Sequence, residues 1–231
     1  MQIELLDQVA GARAARGVAI IIDVFRAFSV ACYASSRGAT RIIPIGEVEE
    51  ALRLKGSHPD YFTIGERHGR KLAGFDCGNS PTELEGFDLR GKTVVHTTHA
   101  GTQGLVNAQA ADLVLTGALV NAGAICRYLT RLAPERVSLV RMGLAAERRS
   151  DADDLCAELL AARLAGRAFD EGAIQERLHR SEEAHKFFDP AAAWAPEGDF
   201  ARCTALDRFD FVLRLDDHPD GRRSLSRCGV P

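Results

Sequence analysis

The 231-residue sequence lacks most of the features that tie a chain to metal clusters, membranes or nucleic acid. Its six cysteines stand at positions 32, 77, 126, 156, 203 and 228, and no two form a C-x-x-C pair, which argues against a structural zinc site. None is followed six positions later by Arg, so a Cys-x5-Arg phosphate loop is absent as well. The thiols read as reduced, the state expected of a cytoplasmic protein. No apolar run approaches the roughly 18 residues of a membrane span. The opening MQIELLDQVA carries Glu4 and Asp7 without a long apolar stretch and does not read as a signal peptide. An excess of one charge is missing too. The chain has 29 Lys and Arg against 32 Asp and Glu, a net −3, so no general basic field draws it to nucleic acid. The one basic cluster, Arg222, Arg223 and Arg227, reads as a solvated tail. No repeat, low-complexity run or linker interrupts the chain, so it reads as one domain over residues 1–231.

What is present is an alternation of short β-rich runs with helical patterns. GVAIIID (17–23) is a continuous apolar strand of the kind buried on both faces, and FRAFSVACYASSRG (25–38) follows as a helix stopped by Gly38. Further strands are expected at 41–46, 61–65, 91–97, 112–117 and 136–143, with helices over 48–56, 102–111, 121–132 and 151–166. Residues 170–188 look charged and helical, and 189–199, with Pro190, Pro196 and Gly198, look like a loop. LDRFDFVLRLDD (206–217) alternates like a late strand at a sheet edge, a place where a homodimer could form. Strand–helix alternation implies a three-layer α/β/α domain with a largely parallel or mixed central sheet.

In open α/β sheets the site lies where strands end and helices begin. Nearly every strand exit carries a polar group: Asp23 and Arg26, Glu66 and Arg67, the turn Thr98-His99-Ala100-Gly101-Thr102, Asn121, and Asp151, Asp153 and Asp154. Asp23, Glu66, Asp76, Glu83 and Asp153 supply hard oxygens suited to Mg²⁺. Arg26 and Arg67 are of the type that clamps phosphate. The THAGT turn offers backbone N–H groups and hydroxyls to an anion. Structural readings compete for each. Asp23 could simply cap the next helix, Ser80-Pro81-Thr82-Glu83 fits a capping box, and acids at 151–154 suit a helix N-terminus.

Three phosphatase chemistries can be set against these residues. A haloacid-dehalogenase-type site needs Asp-x-Asp, and IIDVF has Phe25 at the second position. A histidine phosphatase carries Arg-His-Gly after a strand, as in Arg67-His68-Gly69, but needs a second His; His96 and His179 are the candidates. The third is a resemblance over most of the chain. DVFRA (23–27), IIPIGEVEEAL (42–52), GERHGRKLAGFDCGNSPTE (65–83), GKTVVHTTHAGTQGL (91–105), TGALVNAGAIC (116–126) and DLCAELL (154–160) together resemble the 2-phosphosulfolactate phosphatase family. The position held by His68 varies in that family, which counts against the histidine reading.

The resemblance implies a single α/β/α domain and Mg²⁺-dependent hydrolysis of 2-phosphosulfolactate to sulfolactate and phosphate, a step of coenzyme M biosynthesis. It implies Asp23, Arg26, Glu66, Arg67 and Asp76 as catalytic residues. Substrate contacts would come from Asn79, Ser80, Thr98, Gly101, Thr102 and Asn121, and Mg²⁺ ligands from among Asp23, Glu66, Asp76 and Asp153. The partner would be a small anionic phosphorylated acid, with no nucleic acid or membrane. Two departures stand out. The family's Thr-Thr-Asn-Gly-Thr-Arg turn reads Thr98-His99-Ala100-Gly101-Thr102-Gln103, and Ala152 stands where Glu is expected. A non-catalytic protein binding an anionic metabolite is the alternative from outside enzymology.

Overall fold

In the computed structural model, which describes residues 1–229, these periodicities become a mixed ten-stranded sheet between helices. The elements run β1 (Gln2–Asp7), α1 (Gln8–Ala14), β2 (Val18–Ile22), α2 (Ala27–Ser36), β3 (Arg41–Pro44), α3 (Val48–Ser57), β4 (Phe62–Arg67) and β5 (Arg70–Lys71). Then come α4 (Pro81–Leu84), β6 (Thr93–Thr97), α5 (Gly101–Asn107), β7 (Leu113–Gly117), α6 (Ala122–Leu132), β8 (Arg136–Arg141) and α7 (Asp151–Leu164). The chain closes with α8 (Ile174–His179), α9 (Glu197–Cys203), β9 (Phe211–Asp217) and β10 (Arg223–Gly229). Short 3-10 segments cover Leu119–Asn121 and Glu182–Phe187.

The strand order is β1-β8-β2-β7-β9-β10-β3-β6-β4-β5. β1, β8, β2 and β7 form one parallel block, and β3, β6 and β4 form another. The antiparallel hairpin β9–β10 stands between them. Three reversals separate β7 from β3, so along the ladder the two blocks run in opposite senses. Each block meets the hairpin through a single residue pair, Leu115–Arg214 and Leu225–Ile42, so the ladder is narrowest at these joints. The exits of β2, β4 and β6 nevertheless meet, which requires the sheet to turn between the blocks. β2 is buried at every residue, and Ile21 packs into one apolar layer while Ile20 and Ile22 pack into the other, as period 2 demands.

Three sequence expectations change. The strand expected at 206–217 is β9, an interior strand, so the edge proposed there for a homodimer does not exist; the edges are β1 and β5. The expected solvated tail is β10, inside the same sheet. Its single fully apolar anchor, Leu225, gave too weak an alternation to read as a strand. The expected loop 189–199 runs into α9, which begins at Glu197. Among the described residues no helix is long and apolar enough to cross a membrane.

Leu225 is 1% exposed and sits where β10 meets β3. Leu225→Ala should therefore cost about 2–5 kcal/mol in urea unfolding, a value a solvated tail would not give.

Candidate active site

The carboxylates at the strand exits are held by backbone N–H groups. Asp23 follows β2, is 6% exposed, and its Oδ1 accepts from Ala27 N at 3.1 Å, so it caps α2 while facing the site. Gly101 opens α5 against it: a Cβ there would lie 2.7 Å from Ala27 Cβ and 2.8 Å from Asp23 Oδ2, so only glycine allows the approach. Glu66 ends β4. Its Oε2 accepts from Gly69 N and its Oε1 from His99 N, both at 2.7 Å. His68 and Gly69 form the two-residue turn between β4 and β5, with φ of 53° and 78°, the paired positive angles of a type I′ hairpin turn. A Cβ on Gly69 would lie 2.2 Å from the Trp194 ring.

Asp153 lies beneath this pair. Its Oδ1 accepts from Val24 N and its Oδ2 from Gly143 N, both at 2.8 Å, which ties the exits of β2 and β8 together. Burial raises the Asp23 pKa to about 7, Glu66 adds to the rise, and the Ala27 and Gly101 N–H groups and Lys186 oppose it. Asp153 is pushed well above the carboxylate range by burial and by Asp23.

Arg26 is 3% exposed and fully engaged with the protein's interior. Its Nη1 donates to Asp199 Oδ2 at 2.6 Å and to Trp194 O at 3.0 Å, and its Nη2 donates to Gly69 O at 2.9 Å. Asp199 also accepts from Ser80 Oγ at 2.8 Å and Thr82 N at 2.9 Å. Ser80 caps α4 by accepting from Glu83 N at 3.0 Å, but the Glu83 carboxylate turns to Gly78 N and Lys71, so only half of the expected capping box forms.

These residues surround a cavity of about 530 Å³. Of the expected set, Asp23, Arg26, Glu66 and Asn79 line it. Asn79 is 5% exposed and its Oδ1 has no hydrogen-bond partner in the protein. Arg67 does not line the cavity; it donates to Glu66 O, Gly46 O and Thr97 Oγ1. Asp76 lies outside as well, accepting from Thr63 N and Oγ1 at 2.8 Å and from Lys55 at 3.0 Å. Those partners hold its pKa down against the effect of burial. Thr98 and Thr102 satisfy each other, with N–H to Oγ bonds of 3.0 and 3.1 Å. With His99 N on Glu66 and the Thr98 and Thr102 N–H groups on each other's hydroxyls, the THAGT turn spends three of its backbone donors on the chain's own groups. Asn121 is fully buried away from the cavity and accepts from Ala118 N.

Several lining residues escaped the sequence reading: Lys186, Glu183, Trp194 and Arg148, with Asp199 behind them. Alternating strands and helices point to strand exits, whereas Glu183 and Lys186 sit in the 3-10 segment after α8, Trp194 in the chain that follows it, and Asp199 in the first turn of α9. His68 and His99 both line the cavity, edge to face with ring centroids 4.8 Å apart. His96, expected as a second catalytic histidine, is instead 1% exposed within β6, and His179 packs on Phe188 and Phe200.

The fold and cavity define an α/β protein with an anion-sized pocket walled by buried acids and cations at its strand exits. Residues 4–218 match the family described as 2-phosphosulpholactate phosphatase, and the chain belongs to that family. It is 41% identical over 114 residues to a probable 2-phosphosulfolactate phosphatase of Caldanaerobacter subterraneus subsp. tengcongensis, covering 48% of this chain and 47% of that protein. A protein of the same description from Clostridium tetani is 40% identical over 114 residues, 49% of each chain. One from Bacillus subtilis is 33% identical over 199 residues, 85% of this chain and 86% of that one. The chain thus spans about half the length of the first two relatives and most of the third.

Removing one partner of a buried ion pair strands the other charge. Asp199→Ala should cost about 3–5 kcal/mol in urea unfolding, with much of the loss recovered in Arg26→Met/Asp199→Ala. His96 gives a pH signature. Burial lowers its pKa from 6.5 to about 4, so its contribution is complete above 6.5 and is lost as pH falls through 4. The stability difference between wild type and His96→Leu should move in the variant's favour over that window.

Proposed function

We propose that this chain is a Mg²⁺-dependent phosphatase of a small phosphorylated acid, with 2-phosphosulfolactate the first candidate. The observation that carries this reading is the pair Asp23 and Glu66: two buried carboxylates on one cavity wall, neither in an ion pair among the described residues. Burial is the main cause of the raised Asp23 pKa, repulsion between the two acids adds to it, and a cation relieves that repulsion. Mg²⁺ takes one or two carboxylates and keeps several waters. Asp23, Glu66 and the unpartnered Asn79 Oδ1 supply oxygens of that type and number. Asp76 and Asp153 do not line the cavity, so of the four expected ligands this reading keeps Asp23 and Glu66. Bound there, Mg²⁺ would supply charge neutralisation at the phosphoryl oxygens.

The chain's own part is positioning. Backbone N–H groups hold each carboxylate of the pair, so either can orient an attacking water without first reorganising. Arg26 faces the pocket with its charge already matched by Asp199. His99 and Ala100, two of the departures in the sequence, line the pocket, whereas Gln103 turns to Gly46 O. The departures alter the pocket wall itself, so acids other than phosphosulfolactate belong among the candidate substrates. The proposed cytoplasmic location accords with the six free thiols.

The test is phosphate release from a panel of small phosphorylated acids, with Mg²⁺ and with EDTA. Turnover is expected with Mg²⁺ only, and Asp23→Asn and Glu66→Gln should each lower kcat/KM by at least about 100-fold. His68→Ala should stay within about threefold of wild type. A histidine phosphatase would reverse the pattern, surviving EDTA and failing on His68→Ala. No release from any acid under either condition would sink the enzyme reading.

A further inference from the structure

A phosphate monoester carries close to two negative charges into a pocket that already holds Asp23 and Glu66, so the wall's cations decide whether it binds. Two of the four lysine and arginine cations on that wall are already paired. Arg26 is neutralised by Asp199 and uses three of its five N–H donors on Asp199, Trp194 O and Gly69 O. Arg149 pairs with Asp154 at 2.8 Å. Arg148 has no ion-pair partner among the described residues but is exposed, where solvent and salt screen it.

Lys186 is different. It stands in the 3-10 segment Glu182–Phe187, with its ammonium 5.0 Å from the Phe187 ring centroid and 5.9 Å from that of Phe25. Among the described residues it has neither an ion pair nor a hydrogen bond. Its nearest acid in sequence, Glu183, gives its oxygens to Ser150 Oγ at 2.7 Å and Ala152 N at 2.6 Å, holding the start of α7. Burial, then Arg26, weakens the hold of Lys186 on its proton, while Glu183 and Asp23 strengthen it. Lys186 lines the cavity and is partly exposed to it, and an anion there would give its unpaired ammonium a partner.

We propose that Lys186 binds the phosphoryl group of the substrate, taking the anion-clamping role that the sequence suggested for Arg26 and Arg67. The kinetic part of this assignment rests on the phosphatase reading; the binding part does not.

Inorganic phosphate is the probe, titrated by calorimetry into the full chain with Mg²⁺ present. Wild type should bind it. Lys186→Met, which keeps an apolar stem against Phe25 and Phe187, should bind at least about tenfold more weakly, the loss expected for one charge-assisted hydrogen bond. Its Tm should stay within about 3 °C of wild type, and Lys186→Arg should recover most of the affinity. On any acid the wild type hydrolyses, Lys186→Met should lose at least about 100-fold in kcat/KM. Should Lys186→Met fail to fold, the wild-type chain decides. The lysines are Lys55, Lys71, Lys92 and Lys186, and phosphate should protect Lys186 from acetic anhydride while leaving exposed Lys92 unprotected, as read by mass spectrometry. Equal phosphate affinity in wild type and Lys186→Met, no phosphate binding by wild type, or no protection of Lys186 would each overturn the assignment. Phosphate binding through Lys186 with no turnover of any acid would overturn the phosphatase reading and leave this assignment standing.

Discussion

Asp199 accepts from Arg26 Nη1 at 2.6 Å, Ser80 Oγ at 2.8 Å and Thr82 N at 2.9 Å, with none of its side chain exposed. The pocket depends on this node. Burying a carboxylate is costly unless its oxygens are fully satisfied, and here the satisfying groups come from two stretches far away in the chain. Arg26 extends the node to Trp194 O and Gly69 O, and Gly69 lies flat against Trp194. The β2 exit, the β4–β5 turn, the start of α4 and the segment entering α9 are thereby fixed to one another. None of these contacts is local, so the wall assembles only when the whole chain folds.

Within that frame the acids share one solution. Asp23, Glu66, Asp153 and Glu183 each accept from backbone N–H groups at a turn or helix start. Peptide dipoles hold the carboxylates in place without neutralising them, which is how several acids remain close together in a desolvated site. The cost appears as the raised proton affinities of Asp23 and Asp153. Among the described residues none of these four acids is in an ion pair, and such a wall is suited to receive a cation. The THAGT turn serves this arrangement from the other side, with its His99 N–H directed at Glu66.

Strand and helix positions were legible because their cause is local periodicity. β2 is apolar at every residue and is buried at every residue. Asp23 and Glu66 were legible as strand-exit acids, since a strand's end places its next polar residue at the sheet's rim. Asp76 shows where residue type alone misleads. Cys77 bridges Ile64, so Asp76 falls beside Thr63, three residues before Glu66 and about 10 Å down the strand at ~3.3 Å per residue. The sequence gives no register for that return segment. β10 was missed because Leu225 is its single fully apolar anchor, which leaves little apolar pattern of its own. Asp199 and Lys186 were missed because α9 and the 3-10 segment that hold them are only seven and six residues long, too short for periodicity to show a facing direction.

The arginines and the lysine near the pocket divide their work along chemical lines. A guanidinium presents several donors in a rigid plane and suits joining fixed acceptors. Arg26 joins a carboxylate and two carbonyls, and Arg67 joins two carbonyls and a hydroxyl. Both are thereby structural wires whose charge or donors are largely consumed. An ammonium is a compact charge on a flexible stem. Lys186 rests that stem among aromatic rings and keeps its donors uncommitted within the protein. Arginine at a strand exit is therefore weak support for an anion site, because the residue is equally suited to holding the chain together. The better guide is a cation whose donors the protein leaves unused.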